Sequence, residues 1–468
     1  MKWIVGLALC VGAWDAATSH AATPESPPNV LLLFMDDQQA DTIAALGNEH
    51  LLTPNLDRLV RSGISMDRAY MQGSMNGATC VPSRAMLLSG RGLFHVDEKL
   101  LAHPNWVQAF GEAGYRTFIT GKWHNGTEAL SQSFQAGGGI STLGMGNPMK
   151  SSLSSLVDGQ LTAATPEPQH SCARFTDEAL GFLSQGSEQP FFCYVSFDGP
   201  HDPHIVPERF PIKYHAGDIP LPANFLAQHP FNNGEMTIRD ELLLPWPRQP
   251  DAVRAMIAEY YRYISFLDVQ IGRILDQLER SSFRDNTIVV FTSDSGVARG
   301  RHGLIGKQNL YEHSIRVPLI FAGPGIARNA RSKGLCYLYD VLPTLGGMCG
   351  VAAPDGSEGV DFQATLRDPA TPIRDHLVFG YKSSQRAICN AKWKLIRYPN
   401  IDVTQLFDLA NDPDERTDLS SKAVHAGVLE SLRKTLMGDL SELGDKAPWT
   451  EVPTKPASWQ PPSKLAGK

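Results

Sequence analysis

Continuous apolar runs separated by helical patterns indicate an α/β fold. The apolar runs, each expected to form a strand buried on both faces, cover residues 28–35, 191–197, 286–293 and 317–321. Residues 252–280 predict an amphipathic helix whose apolar stripe faces the core. The stripe, with spacings of three and four, is Ile257, Tyr260, Ile264, Leu267, Ile271, Ile274 and Leu278. Strands alternating with helices predict a large, mostly parallel sheet flanked by helices.

Other stretches depart from this alternation. Residues 131–170 and 205–250 show little periodicity and are rich in Gly, Ser, Thr or Pro. We expect both to be long surface excursions of the kind that shapes a substrate pocket. Past about residue 375 the chain changes to shorter strand-like pieces, such as the alternating residues 392–398. We therefore divide the chain into a leader (1–22), a large domain (23–375) and a smaller C-terminal unit with an extended tail (376–468).

The first 22 residues predict a secretory signal peptide. Lys2 provides the positive start, residues 3–14 form a short apolar run, and Ser19-His20-Ala21 offers small residues for cleavage. An uncleaved N-terminal anchor is the alternative, but the run is interrupted by Asp15 and is too short to span a bilayer. No later stretch has the length of a membrane helix. The expected location is therefore outside the cytoplasm, periplasmic or secreted.

Length and charge narrow the function classes. A chain of 468 residues is long enough for one large domain and a smaller one. A net charge of −7 and a pI near 6.1 argue against a nucleic-acid-binding surface. They leave room for a local cationic site.

Charged or ionisable side chains follow four of the predicted strands. They are Asp36 and Asp37, Lys122 and His124, His201, and Asp294. Taken singly, each has an ordinary interpretation, such as a helix cap or a rigid loop. In parallel sheets, however, ligands bind beyond the carboxyl ends of strands, so we expect these groups to converge on one rim. Carboxylate oxygens without a histidine or thiolate cluster favour Ca²⁺, or Mg²⁺, as the bound cation.

A cysteine-containing stretch is expected to join this rim from a helix start. Pro82 suits the first turn of a helix that begins near Cys80 and stops at Gly90. A helix N-terminus favours anions, and Arg84, one turn on, can bind an oxyanion with two nitrogens. By itself, a lone cysteine is more often a buried structural residue.

The stretch Cys-x-Pro-Ser-Arg-x-x-Leu-Leu-Ser-Gly-Arg, residues 80–91, resembles the type I sulfatase signature. Residues 114–124, Gly-Tyr-x-Thr-x-x-x-Gly-Lys-x-His, resemble the second signature of that family. Residues 200–203 resemble its Pro-His-x-Pro loop. The resemblance covers roughly residues 28–420. It implies an alkaline-phosphatase-like fold with a small C-terminal antiparallel subdomain.

The resemblance also implies a mechanism. Cys80, oxidised to formylglycine by a formylglycine-generating enzyme, would be the nucleophile that attacks sulfur. Arg84 would steady the aldehyde hydrate, Lys122 and Lys307 would hold sulfate oxygens, and His124 would help to expel sulfate. Either His201 or Lys307 would protonate the leaving oxygen. The calcium ligands would be Asp36, Asp37, Asp294 and the Cys80 side chain.

Several further expectations follow from the resemblance. His204, and His302 in the segment His-Gly-Leu-x-Gly-Lys, are expected to contact the substrate, a sulfated carbohydrate or another sulfate ester. Ser295 stands where the family usually has Asn, so the fourth protein ligand of the metal would be a shorter hydroxyl. If Cys80 is modified, five cysteines of the mature chain remain. They allow at most two disulfides and one free thiol.

Two rival functions stay open at this point. A phosphodiesterase or phosphonate monoester hydrolase can share the same fold, and some of those enzymes also use formylglycine. A calcium-dependent binder of sulfated glycans without activity is the other alternative. The presence of the cysteine, the arginine and both lysines argues against the second.

Overall fold

The computed structural model describes residues 26–446 and 453–462. The predicted signal peptide, residues 1–22, lies outside these ranges. Within them, no helix is both long and apolar enough to cross a bilayer.

The strands of the described chain belong to three sheets. In chain order they are β1 (Asn29–Met35), β2 (Ile64–Met66), β3 (Ala69–Tyr70), β4 (Gly73–Ser74), β5 (Arg116–Lys122), β6 (Ala136–Ser141), β7 (Ser152–Val157), β8 (Gln160–Leu161), β9 (Thr165–Pro166), β10 (Phe191–Ser196), β11 (Thr287–Ser293), β12 (Arg316–Val317), β13 (Leu319–Ala322), β14 (Ala330–Ser332), β15 (Cys336–Tyr337), β16 (His376–Tyr381), β17 (Gln385–Asn390), β18 (Trp393–Tyr398) and β19 (Val403–Asp408). The α-helices are α1 (Pro54–Ser62), α2 (Cys80–Ser89), α3 (Trp106–Glu112), α4 (Thr127–Ser133), α5 (Ser171–Ser184), α6 (Pro250–Arg280), α7 (Glu312–Ile315), α8 (Val341–Cys349), α9 (Gln363–Arg367) and α10 (Ala426–Glu442).

The largest sheet has the strand order β14-β2-β13-β11-β1-β10-β5-β6-β7-β8, with β9 beside β7. Its five central strands, from β11 to β6, are parallel. The strands outside this centre are mostly antiparallel to their neighbours. The predicted α/β fold with a mostly parallel sheet is therefore confirmed.

Strand β1 lies at the centre of this sheet and divides the core in two. Leu32 and Phe34 pack on the side of α2, α3 and α8, whereas Leu31 and Leu33 pack on the side of α1, α5 and α6. All four side chains are fully buried, and each contributes about 1.5–3 kcal/mol of transfer free energy. A strand covered by helices on both faces needs apolar residues at every position, which explains the continuous run.

Helix α6 covers one face of the sheet as the sequence predicts. The predicted helix 252–280 is observed as Pro250–Arg280, and every residue of its apolar stripe is buried. The run 317–321 is different, because Pro318 separates two short strands in different sheets. Proline cannot donate a hydrogen bond to a neighbouring strand, so pairing stops there.

Residues 131–170 are not the irregular excursion that we expected. They contain β6, β7, β8 and β9, which extend the main sheet at one edge. The strand signal is hidden because β6 consists largely of glycine. A Cβ atom at Gly137 would lie 2.7 Å from the carbonyl oxygen of Ile119 on β5, so only glycine allows this close pairing. Residues 205–250 match their prediction, since they contain short 3₁₀ turns and no named strand.

A smaller sheet follows in the C-terminal part, with the order β19-β18-β17-β16-β4. The four C-terminal strands are antiparallel, and β4 joins them from the N-terminal part of the chain. One face packs against α10 through Ile388, Leu395 and Leu436. The other face packs against the main body, where Phe379 and Tyr311 share a core.

Candidate active site

The candidate site lies at the carboxyl ends of four adjacent strands. In the order β11-β1-β10-β5, these strands are parallel and end at the same edge. Asp294 follows β11, Asp36 and Asp37 follow β1, His201 lies in the loop after β10, and Lys122 ends β5. The structure therefore brings these residues to one rim of the sheet.

The three aspartates form one buried acidic cluster with Ser295. The backbone N–H of Asp37 donates to Oδ1 of Asp294 over 2.9 Å, and the hydroxyl of Ser295 donates to Oδ1 of Asp37 over 2.9 Å. Asp37 adopts a φ of 68°, a left-handed conformation that costs a non-glycine residue free energy. This backbone turn directs the carboxylates of two consecutive residues, Asp36 and Asp37, to the same rim.

Three buried cations surround the acidic cluster. Nη2 of Arg84 and Nζ of Lys122 each lie 2.6 Å from Oδ2 of Asp36. Nζ of Lys307 donates to both oxygens of Asp37, over 2.6 and 2.8 Å. Burial opposes ionisation of Asp36, but Lys122 and Arg84 hold its pKa well below the usual range. Burial, together with the charge of Asp36, raises the pKa of Asp294 to about 7.

Two oxygens of this cluster lack a hydrogen-bond partner among the described residues. They are Oδ1 of Asp36 and Oδ2 of Asp294, and both are fully buried. The nearest cation to the second, Nη2 of Arg84, is 3.7 Å away, too far for a hydrogen bond. Ligand atoms of Asp36, Asp37 and His201 also lie within 4.8 Å of one another. Buried carboxylate oxygens without partners fit a hard divalent cation such as Ca²⁺.

Cys80 joins the cluster from the first turn of α2, as predicted. Its Sγ lies 3.1 Å from Nδ1 of His124. Burial raises the pKa of the Cys80 thiol, although Lys122 opposes the shift. Burial and Lys122 lower the pKa of His124 to about 4. The pair is therefore a neutral thiol beside a neutral imidazole, which is not the activated thiolate of a cysteine nucleophile.

Helix α2 holds Cys80 and Arg84 in place with polar and packing contacts. The Ser83 hydroxyl donates to the carbonyl of Asp294 over 2.6 Å. Arg84 donates to Ser196 and, over 3.3 Å, to the carbonyl of Lys122. The helix ends at Gly90, which takes the left-handed conformation that glycine adopts without strain.

His201 and His204 have different surroundings. Nε2 of His201 lies 3.7 Å from Oδ2 of Asp37, so this histidine faces the cluster. Nε2 of His204 lies 2.7 Å from Nη2 of Arg299, and its ring meets the edge of Tyr260. Burial, and secondly the charge of Arg299, lowers the pKa of His204 well below its usual range. His204 is thus a neutral residue packed beside the site.

His302 is not brought to the site. Its Nε2 lies 2.9 Å from the carbonyl oxygen of Glu415, and its ring stacks on Tyr311 with centroids 3.9 Å apart. These contacts point it to the junction with the C-terminal sheet. Of the at most two disulfides that the cysteine count allows, the described chain contains none, and all six of its cysteines are free and buried.

Sequence reasoning missed two residues of the site, Asp202 and Arg239. Asp202 carries a carboxylate next to His201, a signal that adjacency alone could have shown. Arg239 pairs with Asp202 but lies in the non-periodic stretch 205–250, where no pattern marks it. Gly144, in the stretch 131–170 that we expected to shape a pocket, does lie against His124, since a Cβ at this glycine would be 2.6 Å from the imidazole.

Comparison with known proteins shows which family has this arrangement of residues. A sequence model described as Sulfatase matches residues 28–351, more than half of the chain. The chain belongs to the sulfatase family. A second model, of the C-terminal part of N-sulphoglucosamine sulphohydrolase, matches residues 300–442 of this sulfatase. The enzyme is therefore a sulfuric ester hydrolase with the alkaline-phosphatase-like fold.

Curated relatives and solved structures agree with this membership. The sulfatase is 28% identical over 465 residues to the arylsulfatase of Clostridium perfringens, with 88% of this chain and 94% of the relative covered. It is 25% identical over 503 residues to the N-acetylglucosamine-6-O-sulfatase of Bacteroides thetaiotaomicron, covering 90% and 88%. A solved structure of a protein in complex with its substrate, D-glucosamine-2-N,6-O-disulfate, shares the fold. Its TM-score is 0.74 at 22% identity, covering 92% of this chain and 100% of the other.

Proposed function

We propose that this sulfatase removes sulfate from a carbohydrate ester with a formylglycine formed from Cys80 and a divalent cation, Ca²⁺ or Mg²⁺. The observation that carries the proposal is the position of Cys80. It lies 3.1 Å from His124 at the start of α2, the helix whose Ser83 and Arg84 contact Asp294 and Asp36. Lys122 and Lys307 pair with the aspartates of the same cluster. A substrate that reaches Cys80 therefore meets two lysines and a carboxylate cluster suited to a cation.

The charge distribution suits a tetrahedral anion. A sulfate ester presents three peripheral oxygens, and Lys122 and Lys307 provide two buried ammonium groups to bind them. Both lysines are almost fully buried and fixed by aspartates. Preorganised charges in a dry site are usually the largest contribution to such catalysis. Arg84, already fixed by Asp36, would hold the nucleophile.

The residues of the site fit both a formylglycine at position 80 and a divalent cation. Formylglycine would supply a hydroxyl nucleophile, and a divalent cation would polarise a sulfate oxygen. Asp36, Asp37 and Asp294 would hold the cation, because two of their oxygens are buried and find no hydrogen-bond partner in the described part of the chain. Ser295, already bonded to Asp37, and residue 80 would complete the ligand set.

Proton transfer is assigned to the histidines and Lys307. His201 faces the cluster at Asp37 and would protonate the leaving oxygen, with Lys307 as the other candidate for this role. His124 lies 3.1 Å from Cys80. Its lowered pKa keeps it neutral, so it could accept a proton from residue 80 as sulfate leaves.

The substrate class rests on the relatives. Curated relatives include an N-acetylglucosamine-6-O-sulfatase, and the C-terminal model comes from an enzyme of N-sulphoglucosamine. A sulfated amino sugar would also suit an exported enzyme, if residues 1–22 act as the signal peptide that the sequence predicts. We propose that His204 shapes the sugar site through Arg299. His302, which contacts Glu415 and Tyr311, is not proposed as a substrate contact.

A release assay tests the proposal. The enzyme, produced together with a formylglycine-generating enzyme, is given defined sulfated monosaccharides and, in parallel, matched phosphate esters and phosphonate monoesters. We expect inorganic sulfate from the sugars and peptide masses that show an aldehyde at residue 80. Cys80→Ala is the control and should release none. Faster turnover of the phosphorus esters would make the enzyme a phosphodiesterase or phosphonate monoester hydrolase, and a fully active enzyme with only thiol at residue 80 would refute the mechanism.

A further inference from the structure

Next to His201, at the variable position of the Pro-His-x-Pro loop, lies a carboxylate that is not part of the acidic cluster. Oδ1 of Asp202 is 3.4 Å from Nδ1 of His201, and the backbone carbonyl of the same residue is 2.8 Å from that nitrogen. Both side chains are largely buried. Pro200 and Pro203 flank the pair and limit the backbone conformations that it can adopt.

These contacts define which nitrogen of His201 faces the reaction. A carbonyl oxygen only accepts hydrogen bonds, so Nδ1 must carry a hydrogen and donate it to Asp202. The nitrogen that can give a proton to the substrate is then Nε2, which lies 3.7 Å from Asp37 on the side of the cluster. Such fixing of one imidazole nitrogen by a carboxylate or carbonyl group is how a catalytic histidine is oriented.

Asp202 is itself held by Arg239 in a two-pronged ion pair. Nη1 of Arg239 donates to Oδ1 over 2.8 Å, and Nη2 donates to Oδ2. Burial opposes the ionisation of Asp202, but the bond from Arg239 lowers its pKa to about 2. A bidentate guanidinium fixes both the position and the plane of a carboxylate. The group beside Nδ1 is therefore a rigid carboxylate.

The contacts continue from Arg239 to the other side of the site. Arg239 also donates to Asp240 over 3.1 Å, and Asp240 accepts from Gln308 over 2.7 Å. Gln308 accepts the backbone N–H of Lys307 over 3.0 Å and donates to the carbonyl of Gly77, three residues before Cys80. The pair is thus anchored to the segments that carry Lys307 and the nucleophile.

We propose that Asp202, fixed by Arg239, is the positioning residue that orients His201 to protonate the leaving oxygen of the ester. The role rests on the proposed function and deepens it. The Arg239 side chain is 45% exposed, so its ion pair with Asp202 would add little stability. The positioning role explains what else the pair contributes.

The test compares two substrates that differ in their need for an acid. A sugar sulfate has a poor leaving group and depends on protonation, whereas nitrophenyl sulfate does not. Asp202→Asn keeps the shape and the backbone carbonyl but removes the charge. We expect kcat for the sugar sulfate to fall roughly 10- to 100-fold, the scale of a misplaced catalytic group, and kcat for nitrophenyl sulfate to fall less than about threefold. Equal losses on both substrates, or no loss on either, would overturn the proposal.

A second pair of variants separates positioning from a structural effect. Adding Asp202→Asn to His201→Ala should cost less than about a further twofold, because the two residues act as one unit. Additive losses would exclude action through His201. Arg239→Gln leaves Asp202 in place and should reproduce the selective loss more weakly, which keeps the proposal testable if Asp202→Asn does not fold.

Asp276→Asn is the matched control, since Asp276 pairs with Arg58 over 2.8 Å without any contact to His201. It should leave both rates unchanged. The wild-type enzyme separates failure of the proposed function from failure of the positioning role. If it releases no sulfate from either ester, the proposed function fails; if it does and Asp202→Asn loses both activities equally, only the positioning role fails.

Discussion

Ser295 and Asp37 are joined by a hydrogen bond of 2.9 Å from the serine hydroxyl to Oδ1 of the aspartate. The same oxygen accepts a hydrogen bond from Lys307, so two donors share it. The serine hydroxyl therefore lies at the acidic cluster, at the position where a longer amide is usual in the family. The hydroxyl uses its hydrogen for the bond to Asp37, so the lone pairs of its oxygen stay available for a cation.

We predict that Ser295→Asn is tolerated. An asparagine carbonyl reaches further than a hydroxyl and is an established ligand of Ca²⁺. The variant should keep kcat within about threefold and bind calcium at least as tightly, the scale expected for exchanging one neutral oxygen ligand for another. Calcium titration of enzyme depleted with a chelator measures this. A loss of calcium affinity on introducing asparagine would remove Ser295 from the ligand set.

Asp294→Ala should abolish the response to calcium. In wild type, a bound cation stabilises the folded state in proportion to its affinity, so calcium should raise the melting temperature. Asp294 provides one of the two buried carboxylate oxygens of the acidic cluster that lack a partner among the described residues, and its loss should remove most of that rise together with activity. Without calcium, relief of the repulsion among the three carboxylates is opposed by the buried N–H of Asp37, which loses its acceptor, so the readout is the calcium response and not the baseline stability. Asp276→Asn should keep the full calcium response, and an unchanged response in Asp294→Ala would contradict the cation assignment.

Lys122→Ala should lower kcat/KM by roughly 10²- to 10³-fold, the effect of removing one preorganised charge donor. The part of its contact with sulfate that is already present in the bound substrate should appear in KM, and the remainder in kcat. Steady-state kinetics on a sugar sulfate separates the two. A loss below about tenfold would show that Lys122 acts mainly as a counterion of Asp36.

Arg84→Lys should not preserve function. A single ammonium cannot replace a guanidinium that donates to Asp36, Ser196 and the carbonyl of Lys122. Since these partners are buried, the free energy of unfolding should also fall by about 3 kcal/mol. Denaturant unfolding and sulfate release measure the two effects. Full activity in Arg84→Lys would show that charge alone is required.

His229, which is not part of the acidic cluster, should contribute to the acid sensitivity of the folded state. Burial lowers the pKa of its imidazole from 6.5 to about 3, so the unfolded chain binds a proton that the folded chain excludes. This contribution to stability is complete above pH 6.5 and is lost as the pH falls towards 3. It should amount to about 2 kcal/mol between pH 6.5 and about pH 5.

The test for His229 is denaturant unfolding at several pH values. His229→Asn keeps a donor for the carbonyl of Phe231, which His229 contacts over 2.7 Å, but it cannot ionise. The variant should be less stable overall, with a flatter decline of stability between neutral and mildly acidic pH. A decline as steep as that of wild type would assign the acid sensitivity to other groups.

The central strands and the site rim were predictable because their signals are local. A strand buried on both faces requires an uninterrupted apolar run, and a charged residue directly after such a run is visible in the sequence. Asp36, Lys122 and Asp294 were found in this way. The helix at Cys80 carried its own start and stop residues, Pro82 and Gly90.

The errors concern features that depend on distant parts of the chain. The edge strand β6 was missed because its pairing depends on glycines that carry no strand signal. His302 of the segment His-Gly-Leu-x-Gly-Lys was expected at the substrate but contacts Glu415 instead. This contact could not be seen in the sequence because Glu415 follows more than a hundred residues later. Arg239 was missed for the same reason, since only the fold brings it to Asp202.

The burial of α2 sets an order of events in the making of the enzyme. Only 3% of Cys80 is exposed, and every other side chain of the helix except that of Val81 is buried. An enzyme that oxidises residue 80 must bind the surrounding peptide, which the finished fold does not offer. If residue 80 is converted to formylglycine as we propose, conversion has to come before folding is complete, and a chain that folds first keeps its thiol. Under that proposal, the active fraction of a preparation would depend on the relative rates of oxidation and folding, which slower synthesis or more of the oxidising enzyme would shift.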